Sequence, residues 1–415
     1  MTLLASEYLA KTRRSRELSA RFRSVFAGGE TRSTLFYRPY PIVIVGGSGA
    51  RIVDADNNEY LDVLNNYTAL VHGHTFAPVV EVVKAALESV GSSHAAPNLA
   101  QLELAELLRK RFPAAERIRF TNSGTEATLL AIRIARAATG RRLVIGFDGG
   151  YHGAVAGFID GDSETLRVPY NDVDRLRSIT SDAVAAIFVE PFLGSGGVIL
   201  AEAGFLQATR EIASTAGALM VLDEVQSLRN AFHGAHGELS LAPDLVTMGK
   251  VIGGGLPIGA VAGRSGLMAL ASAADGGPIM HPGTFNGNVP TMVGGLATMH
   301  ELDAIAIARM NEAAAKLAAK IEAAGQQLGI PILVTYSGSI MQVHFASASG
   351  HLPESSSTVR SERLAQLHLA LLLQGVYAAP RGMLNLSTQM SDKDHEFIVA
   401  SYEQAFARLK DLGWG

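Results

Sequence analysis

The chain reads as an α/β protein: a large domain on a mostly parallel sheet, joined to a smaller α+β domain. Three observations carry this reading. Short β-branched runs alternate with longer segments of helical period, the pattern of strands linked by crossover helices and covered on both faces. At 415 residues, 48% of them hydrophobic, the chain is long enough to bury a large core and to divide into two lobes. Near residue 300 the alternation gives way to a long alanine-rich helix and then to strands and helices of a different texture.

In chain order, residues 42–45 and 51–54 form a strand pair around a glycine turn, and the segment before about residue 70 is expected to join the smaller lobe. Apolar runs at 117–121, 143–147, 186–190, 218–222, 244–247 and 259–262 are the strands of the large domain, with helices at 126–138 and 205–216 between them. A helix over 304–324 opens the last part. Strands at 332–334 and 341–345, a polar loop at 347–357, a helix at 361–374, a strand at 383–387 and a final helix after Ser391 follow. Ser391 with Asp394 three positions on forms a capping box. The expected division is therefore an N-terminal segment 1–70 packing with the small domain, a large domain 71–300, and a C-terminal small domain 301–415. There is no internal repeat and no low-complexity tail.

Composition narrows the function. A formal charge of −4 without long runs of either sign favours neither nucleic acid nor an anionic membrane, so the expected partner is a small molecule. Without cysteine there are no disulfides, thiolate metal sites or cysteine nucleophiles. The first residues meet charge too early for a signal peptide and no apolar run reaches membrane-spanning length, which gives the expectation of a cytoplasmic location.

The chemistry concentrates at strand ends. Lys250 stands between an apolar strand and the glycine run Gly253-Gly254-Gly255, a poor place for an ordinary solvated charge. The run Ala218-Leu219-Met220-Val221-Leu222 delivers Asp223 at its end. One amine and one carboxylate on buried backbone suggest a carbonyl cofactor. Thr121-Asn122-Ser123-Gly124-Thr125-Glu126-Ala127 lies where a strand meets a helix, and its amides suit either a phosphate or simple N-capping by Ser123 or Thr125. In Gly149-Gly150-Tyr151-His152-Gly153 the tyrosine ring is placed to stack on a flat heterocycle or to pack, while His152 alone reads as structural. His72 and His74 lack a third ligand cluster, so no metal site is expected.

Together these segments resemble the class III pyridoxal-phosphate aminotransferases of fold type I, in the branch that includes glutamate-1-semialdehyde aminomutase. The matching pieces are Asn-Ser-Gly-Thr-Glu-Ala at 122–127, Tyr-His-Gly at 151–153, Glu190-Pro191, Asp223-Glu224-Val225-Gln226, Gly249-Lys250 and Gly-Thr-Phe-Asn-Gly-Asn at 283–288, in family order. The resemblance implies a seven-stranded, mostly parallel sheet and pyridoxal 5'-phosphate as cofactor, with no metal. It implies that Lys250 forms the Schiff base and shuttles the proton, and that Asp223 holds a proton on the pyridine nitrogen. Ser123, Gly124 and Thr125 would cradle the phosphate, with Thr284 reaching it from the other subunit of a homodimer. Tyr151 and His152 would lie at the ring, Gln226 at its phenolic oxygen, and Glu190 would tune or gate the site. The implied reaction moves nitrogen from an amino donor to a keto-acid acceptor in a ping-pong cycle.

Two departures concern the substrate. Aminomutases carry Gly-Gly-Val-Asn-Ser-Pro-Val-Arg near the N-terminus and a long gating loop after Tyr-His-Gly. This chain has Gly28-Gly29-Glu30-Thr31-Arg32-Ser33-Thr34-Leu35-Phe36-Tyr37 and a short connection from His152 to Pro169. In those places it is similar to β-amino acid aminotransferases, in particular those acting on β-phenylalanine, which share the Arg32 pattern and the Pro380-Arg381-Gly382 segment. The resemblance makes Arg32 and Arg381 carboxylate receptors, and Phe36, Tyr37, Tyr67 and Met383 are candidate apolar walls. Surface ion pairs for the arginines and core or interface positions for the walls are the plainer readings. An aminomutase or racemase on the same scaffold, and a cofactor-binding protein without turnover, are the alternatives.

Overall fold

In a computed structural model, which describes residues 2–346 and 362–413, seven strands make the sheet of the unit Ala77–Ala308. They are β1 (Arg117–Thr121), β2 (Leu143–Phe147), β3 (Thr165–Val168), β4 (Val184–Val189), β5 (Leu219–Asp223), β6 (Leu245–Gly249) and β7 (Gly259–Gly263). Their order is β1-β7-β6-β5-β4-β2-β3. Only β7 runs against its neighbours.

Every residue of β4 and β5 is buried, which is why both read as continuous apolar runs rather than alternating ones. Alternation decides which face each residue serves. Ala186, Phe188 and Val221 pack with helix Gly124–Thr139, whereas Ile187, Val189 and Leu222 pack with helix Phe205–Ala216. Each of the larger side chains contributes about 1.5–3 kcal/mol by leaving water. In the second helix, Phe205, Leu206, Thr209, Ile212 and Ala213 form the buried stripe.

Sequence patterning overlooked β3. It is a four-residue edge strand containing Arg167, whose guanidinium donates to the carbonyls of Phe147 at 3.0 Å and Phe158 at 2.6 Å, so a charged residue serves as a structural pin. Helix Gly124–Thr139 starts two residues before the expected 126 because Ser123 caps it, and Gly140 in a left-handed conformation ends it.

The other unit comprises Met1–Phe76 and Arg309–Gly415. A four-stranded sheet holds Ile44–Ser48, Arg51–Asp54, Glu59–Asp62 and Val376–Tyr377, the last pairing parallel to the third and so joining the N- and C-terminal parts. A three-stranded antiparallel sheet holds Ile332–Ser337, Ile340–Phe345 and Met383–Asn385. The first strand starts at Ile44 rather than 42 because the Ile42 amide is taken by the Tyr37 hydroxyl at 2.8 Å. The capping box of Ser391 and Asp394 starts helix Asp392–Asp411. The expected loop at 347–357 and the first residue of the expected helix at 361–374 lie outside the described residues.

The units divide after Phe76 and Ala308, against expected boundaries after 70 and 300. Hydrogen bonds explain the first shift. Gly49 and His74 exchange backbone bonds, His74 Nε2 lies 2.7 Å from Asp62, and His72 Nδ1 lies 2.7 Å from the Thr388 hydroxyl. Among the described residues no helix is long and apolar enough to cross a membrane.

Candidate active site

Parallel strands end at one edge of a sheet, and the expected functional segments lie just past those ends. β1 leads into the cap of helix Gly124–Thr139, β2 into the Tyr151 turn, β4 into Glu190, β5 ends on Asp223, and β6 ends on Gly249 directly before Lys250. Leu222 pairs with Val189 and Asp223 with Thr247, so Glu190 and Asp223 leave adjacent strands at the same level. Lys250 itself holds φ +49, a left-handed backbone that costs a residue with a Cβ about 1–2 kcal/mol.

Asp223 is 5% exposed and His152 2%. His152 Nδ1 lies 2.8 Å from Asp223 Oδ2, and Asp223 Oδ1 accepts from the Val225 amide at 3.1 Å. Burial alone would depress the imidazole, but Asp223 and then Glu190 favour its cation, and the net shift is upward. His152, which read as structural by itself, is thus the hydrogen-bond partner of a buried carboxylate, and that carboxylate favours its charged form. Glu190 accepts from the Tyr151 amide at 2.9 Å and the Gly194 amide at 3.4 Å. Burial is the main reason its carboxyl is pushed up to about 7; Asp223 adds to this, while His152 and Lys250 oppose it. The Tyr151 ring is 48% exposed, presented rather than packed away.

At the helix start, Ser123 Oγ accepts from the Glu126 amide at 3.2 Å, so the capping reading holds for Ser123. It does not hold for Thr125, whose hydroxyl accepts from the Ala154 amide at 3.0 Å and ties the helix to the turn after Tyr151. Gly153 permits that approach: φ is +78, and a Cβ there would stand 2.4 Å from Thr125 Oγ1. The N–H groups of Gly124 and Thr125 sit in the first helical turn, where no intrahelical acceptor exists and the dipole favours an anion. Gln226 Oε1 occupies the space a Gly194 side chain would fill, 2.0 Å from its ideal Cβ. The methyls of Val225 come within 3.2 Å and 3.3 Å of ideal Cβ positions at Gly124 and Gly249, packing between the helix start and the approach to Lys250. No sequence signal singled out that valine.

Thr284 is exposed on a loop with Met280 (77% exposed) and Phe285 (62%). The loop is anchored by Asn286, whose Oδ1 accepts from Asn122 Nδ2 at 2.8 Å. An aldehyde bearing a phosphate and a basic ring nitrogen fits this donor set: an anion seat, a buried paired carboxylate, a presented aromatic ring and a strand-end amine. Among the described residues no group of three or more His, Asp or Glu is arranged to hold a metal ion.

The other unit gathers a second group. Asn65, Asn66, Tyr67 and Thr68 all have positive φ, and Asn66 (φ 49, ψ 53) and Tyr67 (φ 54, ψ 51) make a turn of left-handed helix. Asparagine tolerates that conformation, while Tyr67 and Thr68 bear about 1–2 kcal/mol of strain each. The turn is over-determined by its surroundings. Asp62 Oδ1 accepts from the Leu64 amide at 2.8 Å and the Asn65 amide at 2.9 Å, Asn65 Nδ2 donates to the Asn385 carbonyl at 3.0 Å, and Asn385 Nδ2 donates to the Leu64 carbonyl at 2.8 Å. The Tyr67 hydroxyl donates to the Thr34 carbonyl at 2.6 Å. Burial raises this phenol despite the opposing fields of Arg381 and Arg32, so it is neutral. Arg32 Cζ stands 5.6 Å and Arg381 Cζ 5.3 Å from the Tyr67 ring centroid, within cation–π range.

Arg32, Tyr67 and Arg381 therefore meet, although they are remote in sequence. Met383 is fully buried in its strand, its sulfur 3.5 Å from Arg381 Nη2, so it supports the arginine rather than lining an open wall. Phe36 is exposed.

The class III aminotransferase family pattern matches residues 35–160 and 159–387. A β-phenylalanine transaminase of Variovorax paradoxus is 39% identical over 403 residues, covering 94% of this chain and 91% of that protein. A glutamate-1-semialdehyde 2,1-aminomutase of Geobacillus kaustophilus is 36% identical over 396 residues, covering 89% and 92%. The crystal structure of a β-phenylalanine aminotransferase from Variovorax paradoxus superimposes with a TM-score of 0.93 at 36% identity, covering 99% of this chain and 97% of that one. The extent of these matches and the strand-end placement of Lys250 and Asp223 lead to one conclusion: this chain belongs to the class III aminotransferases, pyridoxal-phosphate-dependent enzymes of fold type I.

Proposed function

We propose that this transaminase takes the amino group of a β-amino acid, an aromatic one such as β-phenylalanine, and passes it to an α-keto acid such as 2-oxoglutarate or pyruvate in two half reactions. The observation that carries the reading is the pair of guanidinium groups, Arg32 and Arg381, gathered on one aromatic ring. Each planar fork suits a carboxylate. The activities named for the Variovorax paradoxus relatives support the same donor class.

Pyridoxal phosphate, when bound, would supply an electron sink for the carbon that loses the proton. Lys250 would hold it through Nζ and would move the proton at the amine-bearing carbon of the donor. Asp223, paired with His152, holds a proton at the ring nitrogen. Ser123, Gly124 and Thr125 would hold the phosphate, Tyr151 would cover the ring, and Gln226 would contact the phenolic oxygen. Glu190, through the Tyr151 amide, sets the height of that ring. Thr284 reaches the phosphate bound by the other subunit of a homodimer, a role its exposed, anchored loop supports. A cytoplasmic enzyme is the natural setting for such substrates.

The aminomutase reading has its own support in the Geobacillus relative. Against it, the connection after His152 is spent on one helical turn, Ala156–Ile159, and the edge strand β3, which leaves no length for a closing lid over a retained intermediate. Acceptor dependence tests the choice. β-Phenylalanine with 2-oxoglutarate or pyruvate should give a keto product; absence of product with both acceptors, or isomerisation of glutamate 1-semialdehyde without any acceptor, would sink the transaminase reading.

A further inference from the structure

Asn66 has no part in the roles assigned above, yet its Oδ1 accepts from Arg32 Nη2 at 2.5 Å. It reaches that arginine because the left-handed turn turns it outward, next to the Tyr67 ring that both guanidinium groups face. A strained turn braced by Asp62, Asn65 and Asn385 is a costly way to place one amide, and outliers of this kind point to a task.

We propose that Asn66 is a positioning residue for the carboxylate receptor: its amide oxygen holds one arm of the Arg32 fork in the orientation a substrate carboxylate needs. This rests on the reading that Arg32 receives that carboxylate. An amide oxygen orients the guanidinium without neutralising it. The fork keeps its full charge and its remaining donors, and the incoming carboxylate meets an arginine already turned toward it. A carboxylate at the same position would close the seat, since an acid 2.5 Å from the guanidinium forms the ion pair that the substrate should form. Position 66 thereby sets how strongly the enzyme prefers amino donors that carry a carboxylate.

Three variants separate the possibilities in the cofactor-loaded enzyme: Asn66→Asp and Asn66→Gly, both compatible with a left-handed backbone, and Arg32→Ala. Steady-state constants for β-phenylalanine are read together with the dissociation constant of 3-phenylpropanoate, which has the carboxylate but no amine. Asn66→Asp should raise KM and the dissociation constant together by about tenfold or more with kcat within about twofold, and Asn66→Gly should raise both by about threefold. If Arg32→Ala raises both constants while Asn66→Asp leaves them at wild-type values, the positioning role is overturned and the carboxylate reading stands. If Arg32→Ala changes neither constant, the carboxylate reading itself fails and this proposal with it. A fall in kcat at unchanged KM in Asn66→Asp would also overturn the proposal, because it would place the residue in the chemical step.

Discussion

Replacing His152 by phenylalanine removes the imidazole hydrogen-bonded to Asp223 while keeping a ring in the cavity. In the native protein both side chains are buried, Nδ1 stands 2.8 Å from Oδ2, and among the described residues the carboxylate also accepts from the Val225 amide. A hydrogen bond between charged groups in such a place is worth about 1.5–3 kcal/mol, and its loss leaves the acid desolvated with one partner fewer. That energy corresponds to roughly ten- to a hundredfold weaker retention of a cofactor whose ring nitrogen needs the anion. The assay is absorbance titration of the cofactor-free protein with pyridoxal phosphate, alongside circular dichroism to establish that the variant is folded. His152→Gln, which can keep an N–H donor but not the charge, should recover part of the loss. A folded phenylalanine variant that binds the cofactor within about twofold of wild type would refute the view that His152 acts through Asp223.

Glu190 and His152 predict a pH dependence. Both folded values lie above the ordinary ones, Glu190 at about 7 against 4.5, so both contribute stability at low pH that is lost as pH rises through the folded value. Glu190→Gln should therefore gain on wild type between pH 4.5 and about 7, by up to about 3 kcal/mol, in paired melting curves; a pH-independent difference would contradict it. Gly153→Ala drives a methyl into Thr125 at a backbone of φ +78 and should cost about 1–3 kcal/mol in melting and weaken phosphate binding, whereas unchanged cofactor affinity would show the turn to be adaptable. Gly194→Ala should displace Gln226 and alter the cofactor's absorbance with little change in stability; an unchanged spectrum would remove Gln226 from the ring's surroundings. Leu222→Ala, in the fully buried β5, should cost about 2–5 kcal/mol in denaturant unfolding, and a smaller loss would mean the core can collapse around the gap.

Much of the large unit was legible because its physics is local. Buried parallel strands are continuous apolar runs, and the groups at their C-terminal ends, Asp223, Glu190 and Lys250, are read straight from the order of residues. β3 escaped because an edge strand holding Arg167 does not look apolar, and the first domain boundary moved because His72 is tied to Thr388, remote in sequence, and His74 to Asp62. What only the tertiary structure decided is pairing. That His152 backs Asp223, that Val225 packs between Gly124 and Gly249, and that Arg32 and Arg381 share the Tyr67 ring are contacts between segments far apart in the chain. The left-handed turn lies between the two cases. Two consecutive asparagines hint at it, since they tolerate positive φ, but Tyr67 and Thr68 would not adopt it alone. The sequence by itself determined the chemistry available at the strand ends, because periodicity and order are properties of neighbours. The folded chain decided how that chemistry is supported and which substrate groups meet it, because burial, charge pairing and strain exist only once distant segments are brought together.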